Sequence, residues 1–392
     1  MALLSAGDPA AGVVAADGAI DWDAVHAAFP INANWLWLNN CGIAPPPPAA
    51  VSAVTTHLAA LASRGIFGVP TESAMHDAVR GPLARLIGAD VDELSLCHNT
   101  NEAMTFLSHG LDLTPGDHIL LLENEYPSNV YPFEHWRARG VALSFVPLGA
   151  SPAEFLGHFA QALRPRTRAV SLSAVHWCTG MPLPLAEVGK ICAERGIDFF
   201  VDGSQGVGHV AIDVRAQGIT GLACSAWKWL LGPVGTGALY VRRERLPSLR
   251  FPWKGTASVV DDEVYLPYRD AIKPTTDRYV LSTPNSNDWV YFAASLGFLE
   301  GLGFARVRAR IQALGAHLAA GLRARGFVLA SDAFAEDTGI IAARKPGHDS
   351  AALVAKLRAQ GIVAAERLGW VRLAPHVYQL PQQLDRVAAA LA

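Results

Sequence analysis

A lysine and an aspartate at the ends of neighbouring apolar runs carry the strongest chemical signal in the chain. Lys228 sits inside CSAWKWLLG, a run so apolar that burying an unpaired ammonium there would be expensive. A desolvated lysine gives up its proton readily, and a free amine is what condensation with an aldehyde needs. The competing reading is a strand-end lysine that snorkels its head to water. Asp202 closes the apolar run FFVD. That position is the C-terminal edge of a strand, where ligands of parallel-sheet folds bind. A carboxylate there can hold a ring nitrogen protonated, although an aspartate that merely opens the turn DGS is a common alternative. Lys228 and Asp202 could face one another across a crevice. Together they suit pyridoxal 5'-phosphate (PLP), whose aldehyde takes an amine and whose protonated ring draws electrons from a substrate's α-carbon.

A phosphate would need its own cradle. Thr100 lies between an apolar run and a helical stretch, and a helix N-terminus offers unpaired N–H groups and a partial positive charge. Asn99 and Asn101 flank it and could either contribute or only cap the helix.

The elements that must position these residues are legible as a pattern. Seven short apolar runs, LSLC (94–97), HILLL (118–122), ALSFVP (142–147), AVSLSAV (169–175), DFFVDG (198–203), GLACSAW (221–227) and GALYVRR (237–243), alternate with helical stretches such as PLAEVGKICAERG. Apolar rather than alternating runs predict a mainly parallel sheet covered on both faces. After about residue 265 the texture changes. A long helical stretch from Asn287 to Gly326 breaks near Gly301–Gly303, and short strand-like runs (FVLAS, GIIAAR, WVRLA) and two more helices follow. The expectation is a large domain at 36–265 and a smaller α+β domain built from 266–392, with an arm at 1–35 packed against it. A short helix within the arm, in IDWDAVHAAFP, should stop at Pro30, and APPPP should run extended.

Composition narrows the function classes. The chain has 392 residues, 51% hydrophobic and 17% charged, which gives a large core and no disordered majority. With 35 acidic and 32 basic residues the formal charge is -3, so no basic field exists for a nucleic acid. A small-molecule partner fits better. The five cysteines are scattered, with neither zinc spacing nor a disulfide framework, so no metal is expected. The N-terminus lacks a basic start and a continuous apolar stretch, and no run of eighteen apolar residues occurs. A soluble cytoplasmic protein without membrane contact is the expectation.

Several segments, in order along the chain, resemble the class V aminotransferase group of PLP enzymes, which includes cysteine desulfurases, isopenicillin N epimerase and kynureninase. They are WLNNCGIAPPPPAAV, LCHNTNEAM, NEYPSNVYPF, DGSQGVGHVAIDV, SAWKW with GPVGTGALYV, RYVLSTPN and VRLAPHVYQLPQQLDRV. The resemblance implies an aspartate aminotransferase-like α/β fold. It assigns Lys228 to the Schiff base, Asp202 to the pyridine nitrogen and Gln205 to the neighbourhood of the ring hydroxyl. Ser225, Thr100, Asn101 and Trp227 are placed at the phosphate, where an indole N–H at Trp227 replaces the histidine many relatives carry. Tyr126 is the plausible ring stacked on the cofactor, although Pro127 is closer to the family position. Thr283 is implied to reach the phosphate of a second subunit, hence a homodimer. Arg372 is implied to hold a substrate carboxylate, which its planar fork of donors suits better than a lysine would; a surface or ion-paired arginine is the alternative. His176 is a candidate proton shuttle or a satisfied structural histidine.

Amino transfer on a small amino acid is the leading expectation, with a C–S or other β-lyase, or an epimerase, as the alternative. A PLP-binding regulator is remote, because no output module is visible. Cysteine desulfuration is argued against by the absence of any cysteine after Ala226, GIVAAERLGWVR included.

Overall fold

The computed structural model describes Ala10 and residues 12–391; most of the expected arm's first eleven residues lie outside them. The first strand, β1 (Leu36–Trp37), belongs to a two-stranded pair described below. The main sheet follows with β2 (Leu94–Cys97), β3 (His118–Leu122), β4 (Ala142–Val146), β5 (Thr167–Ser173), β6 (Asp198–Asp202), β7 (Gly221–Ser225) and β8 (Gly237–Val241). Their order is β2-β8-β7-β6-β5-β3-β4. The pairs from β7 through β6, β5 and β3 to β4 are parallel, and β8 runs antiparallel between β2 and β7. Every residue of β2, β3, β7 and β8 is buried, the mark of a sheet covered on both faces. Ile119, Leu120, Val170, Phe199 and Val201 are all fully closed to solvent. Each such side chain contributes about 1.5–3 kcal/mol as an upper bound.

The second sheet runs β12 (Ala365–Arg367), β13 (Trp370–Leu373), β10 (Ile341–Arg344) and β9 (Val328–Leu329), all antiparallel. Its own apolar cluster joins Ile341, Ala343, Val371 and Leu373 to Leu314, Leu318 and Leu322 of the helix Phe304–Arg323. β1 pairs in parallel with β11 (Ile362–Val363), which brings the N-terminal segment onto this side of the molecule. Ala10, Val13, Val25 and Phe29, by contrast, sink into the large cluster around the main sheet.

The long helical stretch is two helices, Ser286–Leu302 and Phe304–Arg323, bent by 81° across Gly303. Gly303 has φ +86, a conformation that glycine adopts without penalty. Among the described residues no single helix is long and apolar enough to cross a membrane.

Candidate active site

Parallel β6 and β7 set Asp202 opposite Ala223 in register, so the turns leaving both strands open on one side of the sheet. Asp202 ends β6 with its carboxylate fully buried. Oδ1 accepts the Ser204 amide at 2.8 Å, and the Ser128 hydroxyl lies 3.5 Å from Oδ2. Burial pushes its pKa up, offset in part by the charge of Lys228. A carboxylate in that state is stabilised by a cationic partner.

Lys228 lies three residues beyond β7 and is partly open to a cavity of about 420 Å³. Burial of its amine lowers the pKa, against the raising effect of Asp202, and Arg372 lowers it further. The shift is in the direction that makes the amine easier to deprotonate. Ala44 N–H donates to the Trp227 carbonyl at 2.8 Å, tying the N-terminal segment Cys41–Ala44 to the lysine turn. The cavity is lined by Lys228, Asn99, Thr100, Asn101, Tyr126, Gln205, Ser225, Trp227 and Arg372 of the expected residues and their neighbours. The Tyr126 ring centroid lies 5.6 Å from the lysine Nζ.

The helix Thr100–Gly110 points its N-terminus at this cavity. Its N-cap is Asn99, whose Oδ1 accepts the Glu102 amide at 2.9 Å. Thr100 Oγ1 and Ser204 Oγ are 2.6 Å apart. Ser225 Oγ is buried without a hydrogen-bond partner, although nearly every buried hydroxyl finds one. An orphaned hydroxyl beside a helix N-terminus is what a phosphate would satisfy. These residues fit PLP: the amine and the anion cradle line one cavity, and the buried carboxylate lies against its wall, bonded to Ser204 and within 3.5 Å of the Ser128 hydroxyl.

Arg372 enters from the second sheet, where β13 pairs it with Ala342 and Ala365. Nη1 donates to the Trp177 carbonyl at 2.7 Å, Nη2 reaches Asn39 Oδ1 at 3.5 Å, and Nε is buried without a partner. The guanidinium lies 5.9 Å from the Trp177 ring, and Tyr126 meets that ring edge-on at 5.7 Å.

Three expected residues lie outside the lining: Asp202 sits behind Ser128 and Ser204, and His176 and Thr283 lie elsewhere. His176 is not among the residues lining the cavity. Its Nδ1 accepts the Thr179 amide at 3.2 Å, so Nε2 donates to the Asn124 carbonyl at 3.2 Å, and burial lowers its pKa to about 4. Thr283 lines a separate cavity of about 310 Å³ with His98, Glu102 and Asp288.

The fold also brings in residues the sequence reading did not single out. Cys41, Ser128, Ser204 and Arg367 line the Lys228 cavity. All four lie inside segments quoted above, but nothing in their local sequence marks Cys41 or Arg367 as facing a cavity. Behind Asp202 sits a second buried acid, Glu125. It accepts from Ser173 Oγ (2.6 Å), Tyr126 N (2.7 Å), Ser173 N (2.9 Å) and Asn129 Nδ2 (3.2 Å). Burial, then the charge of Asp202, pushes its pKa up to about 7.

A family model for aminotransferase class-V matches residues 37–369, which spans the lysine, the aspartate and most of both sheets. The chain belongs to the class V aminotransferase family. Its cofactor is PLP, and its fold is that of the aspartate aminotransferase-like PLP enzymes. Isopenicillin N epimerase of Streptomyces clavuligerus is 30% identical over 95% of this chain and 98% of its own length. A cysteine desulfurase of Klebsiella pneumoniae is 29% identical over 74% of this chain and 73% of that one. A probable cysteine desulfurase of Methanothermobacter thermautotrophicus is 26% identical over 72% and 71%. Among solved structures, a cysteine desulfurase from Thermococcus onnurineus superposes with a TM-score of 0.84 at 22% identity, covering 94% of this chain and 96% of that one. The cystine C–S lyase C-DES with its product cysteine persulfide superposes with a TM-score of 0.84 at 24% identity over 93% and 98%. At those identities the superpositions speak for the fold.

These relatives correct one expectation. The argument against cysteine desulfuration rested on a missing cysteine after Ala226, yet proteins named as cysteine desulfurases match most of the chain. The absence of a cysteine after Ala226 therefore does not decide the subclass, and the N-terminal segment that pairs with β11 places Cys41 among the cavity's lining residues. The placing of amino transfer ahead of lyase chemistry falls with it.

Proposed function

We propose that this chain is a PLP-dependent lyase that breaks a C–S bond of a cysteine-type amino acid. What carries the reading is the meeting of a buried amine and an arginine fork on one cavity, with a buried carboxylate bonded to the lining Ser204, in a chain several of whose relatives are named cysteine desulfurases. When bound, PLP supplies the electron sink that makes a substrate's Cα proton removable. The chain's own groups do the rest. Arg372 holds the substrate carboxylate with its in-plane donors. Asp202 keeps a proton on the ring nitrogen. Lys228, with its lowered pKa, moves the proton at Cα. The N-terminus of the helix Thr100–Gly110 and the Ser225 hydroxyl hold the phosphate.

Product analysis tests this reading. Incubation with L-cysteine should release sulfide, and with L-cystine cysteine persulfide, each with one equivalent of pyruvate and of ammonia. A loaded enzyme that releases no sulfur from either would overturn it.

The full-length match to isopenicillin N epimerase favours a second reading, inversion at Cα. In deuterated water an epimerase would convert one enantiomer to the other and incorporate deuterium at Cα, with every substrate bond but C–H intact.

The homodimer is likewise a proposal. Thr283 sits apart from this chain's own Lys228 cavity, and several large apolar side chains stand in solvent. Phe67 is 92% exposed, Tyr268 86% and Tyr265 78%. A second copy would cover such side chains and bring its own Thr283 to the phosphate.

A further inference from the structure

The Gln205 side chain is held at both ends. Nε2 donates to the Cys41 carbonyl at 2.8 Å, and Oε1 accepts from Trp229 Nε1 at 2.9 Å. An indole N–H only donates and a peptide carbonyl only accepts. No flipped amide satisfies both, so the usual ambiguity of a glutamine is removed here. The oxygen faces Trp229, which is 0% exposed, whereas the nitrogen faces Cys41, a residue of the cavity wall. One N–H of Nε2 remains uncommitted on that side.

Trp229 is itself fixed by neighbours from distant parts of the chain. The His209 ring stacks on it at 4.1 Å and 13°, and His376 lies at 5.8 Å and 22° on the indole. Each histidine is confined to one tautomer. Val377 N–H donates to His376 Nδ1, so His376 Nε2 donates to the Trp229 carbonyl. Gly339 N–H donates to His209 Nε2, so His209 Nδ1 donates to the Gln205 carbonyl at 2.7 Å. Both rings are buried, and burial lowers both pKa values to about 4. The column is therefore neutral and single-state across the neutral pH range.

We propose that Trp229 is a positioning residue that locks the Gln205 amide so that it offers the cavity a hydrogen-bond donor and not an acceptor. The proposal rests on the assignment of this cavity to PLP and goes beyond it. It names the group that decides the polarity of Gln205 toward an anionic oxygen of the bound cofactor. A donor there stabilises the anionic oxygen, and with it the less protonated form of the lysine-bound cofactor. Loss of the lock should make that form harder to reach.

The test is a pH titration of the visible absorption band of the PLP-loaded protein. Trp229→Phe keeps the ring and removes only the N–H. The titration midpoint should rise by about half a unit or more, with PLP content unchanged. In a Gln205→Leu background the same Trp229→Phe change should add almost nothing, because the two act through one hydrogen bond. Equal shifts in both backgrounds, or no shift in a fully loaded Trp229→Phe protein, would overturn the proposal. Should Trp229→Phe not fold, Gln205→Leu alone decides: its midpoint must rise, and an unchanged midpoint removes the donor. A wild-type protein with no visible band would instead refute the cofactor site itself, an outcome distinct from these.

Discussion

Arg372 shows how one buried side chain can be committed to structure and still free for a ligand. Its Nη1 is spent on the Trp177 carbonyl, while Nε is buried and unpaired. A carboxylate arriving from the cavity would satisfy that nitrogen. Arg372→Ala should therefore raise KM for carboxylate substrates about tenfold or more, on the order of 1.5–3 kcal/mol for a hydrogen bond to a charged group, with PLP retention little changed. Kinetics equal to wild type would remove the assignment. Glu125 gives a pH-dependent signature. Its pKa is raised from an ordinary 4.5 to about 7, and the buried charge facing it, Asp202, is raised as well. For a raised acid the stabilising contribution is fully present below the unfolded pKa and is lost as pH rises through the folded one. The apo-protein should thus lose stability between about pH 5 and about pH 8, and Glu125→Gln should flatten that loss. Urea midpoints of both proteins measure it; parallel slopes would contradict the assignment. Lys228 and Asp202 were legible from the sequence because each breaks a local rule, a charge ending or interrupting an apolar run. Glu125, Cys41 and Arg367 break none, and only tertiary proximity reveals them.

Strands and turns decide where those groups point. The runs read as strands coincide with β2 and β3 residue for residue, and the rest differ by a few terminal positions. Continuous apolar sequence is what a sheet buried on both faces requires, so the central layer was readable. The two-residue strands β1 and β11 were not, because a pairing this short leaves no periodicity, yet it is this pairing that carries Cys41 to the site. Turns matter as much. Gly180 has φ +79, and a Cβ there would meet the Ile340 carbonyl oxygen at 2.3 Å. The turn it closes also holds Trp177, whose carbonyl is the Arg372 acceptor. Gly180→Ala should destabilise the protein by about 2 kcal/mol or more and weaken carboxylate binding with it. A thermal midpoint within a degree of wild type would show that the backbone tolerates the change.

At the scale of the whole molecule, the site is shared between two sheets. The main sheet supplies the lysine and the aspartate, and the second sheet supplies the arginine. The column from Gln205 through Trp229 and His209 to Gly339 ties one to the other. If the proposed second copy completes the phosphate site, the protein should sediment as a dimer at micromolar concentration, and Phe67→Asp should shift it toward the monomer. A wild-type monomer that retains tightly bound PLP would count against a contribution from Thr283 across an interface. The order of motifs along the chain made the fold legible before any coordinate was known. The reaction class was not, because relatives of similar sequence are named both for cysteine desulfuration and for epimerisation.

The most direct test of the account is the position of the covalent linkage. PLP-loaded protein would be reduced with borohydride, digested, and the modified peptide identified by mass spectrometry. The account predicts the phosphopyridoxyl mass on Lys228 alone, and none in Lys228→Ala protein that still folds. A loaded protein carrying the adduct on another lysine, or one whose Lys228→Ala variant remains fully active, would contradict it.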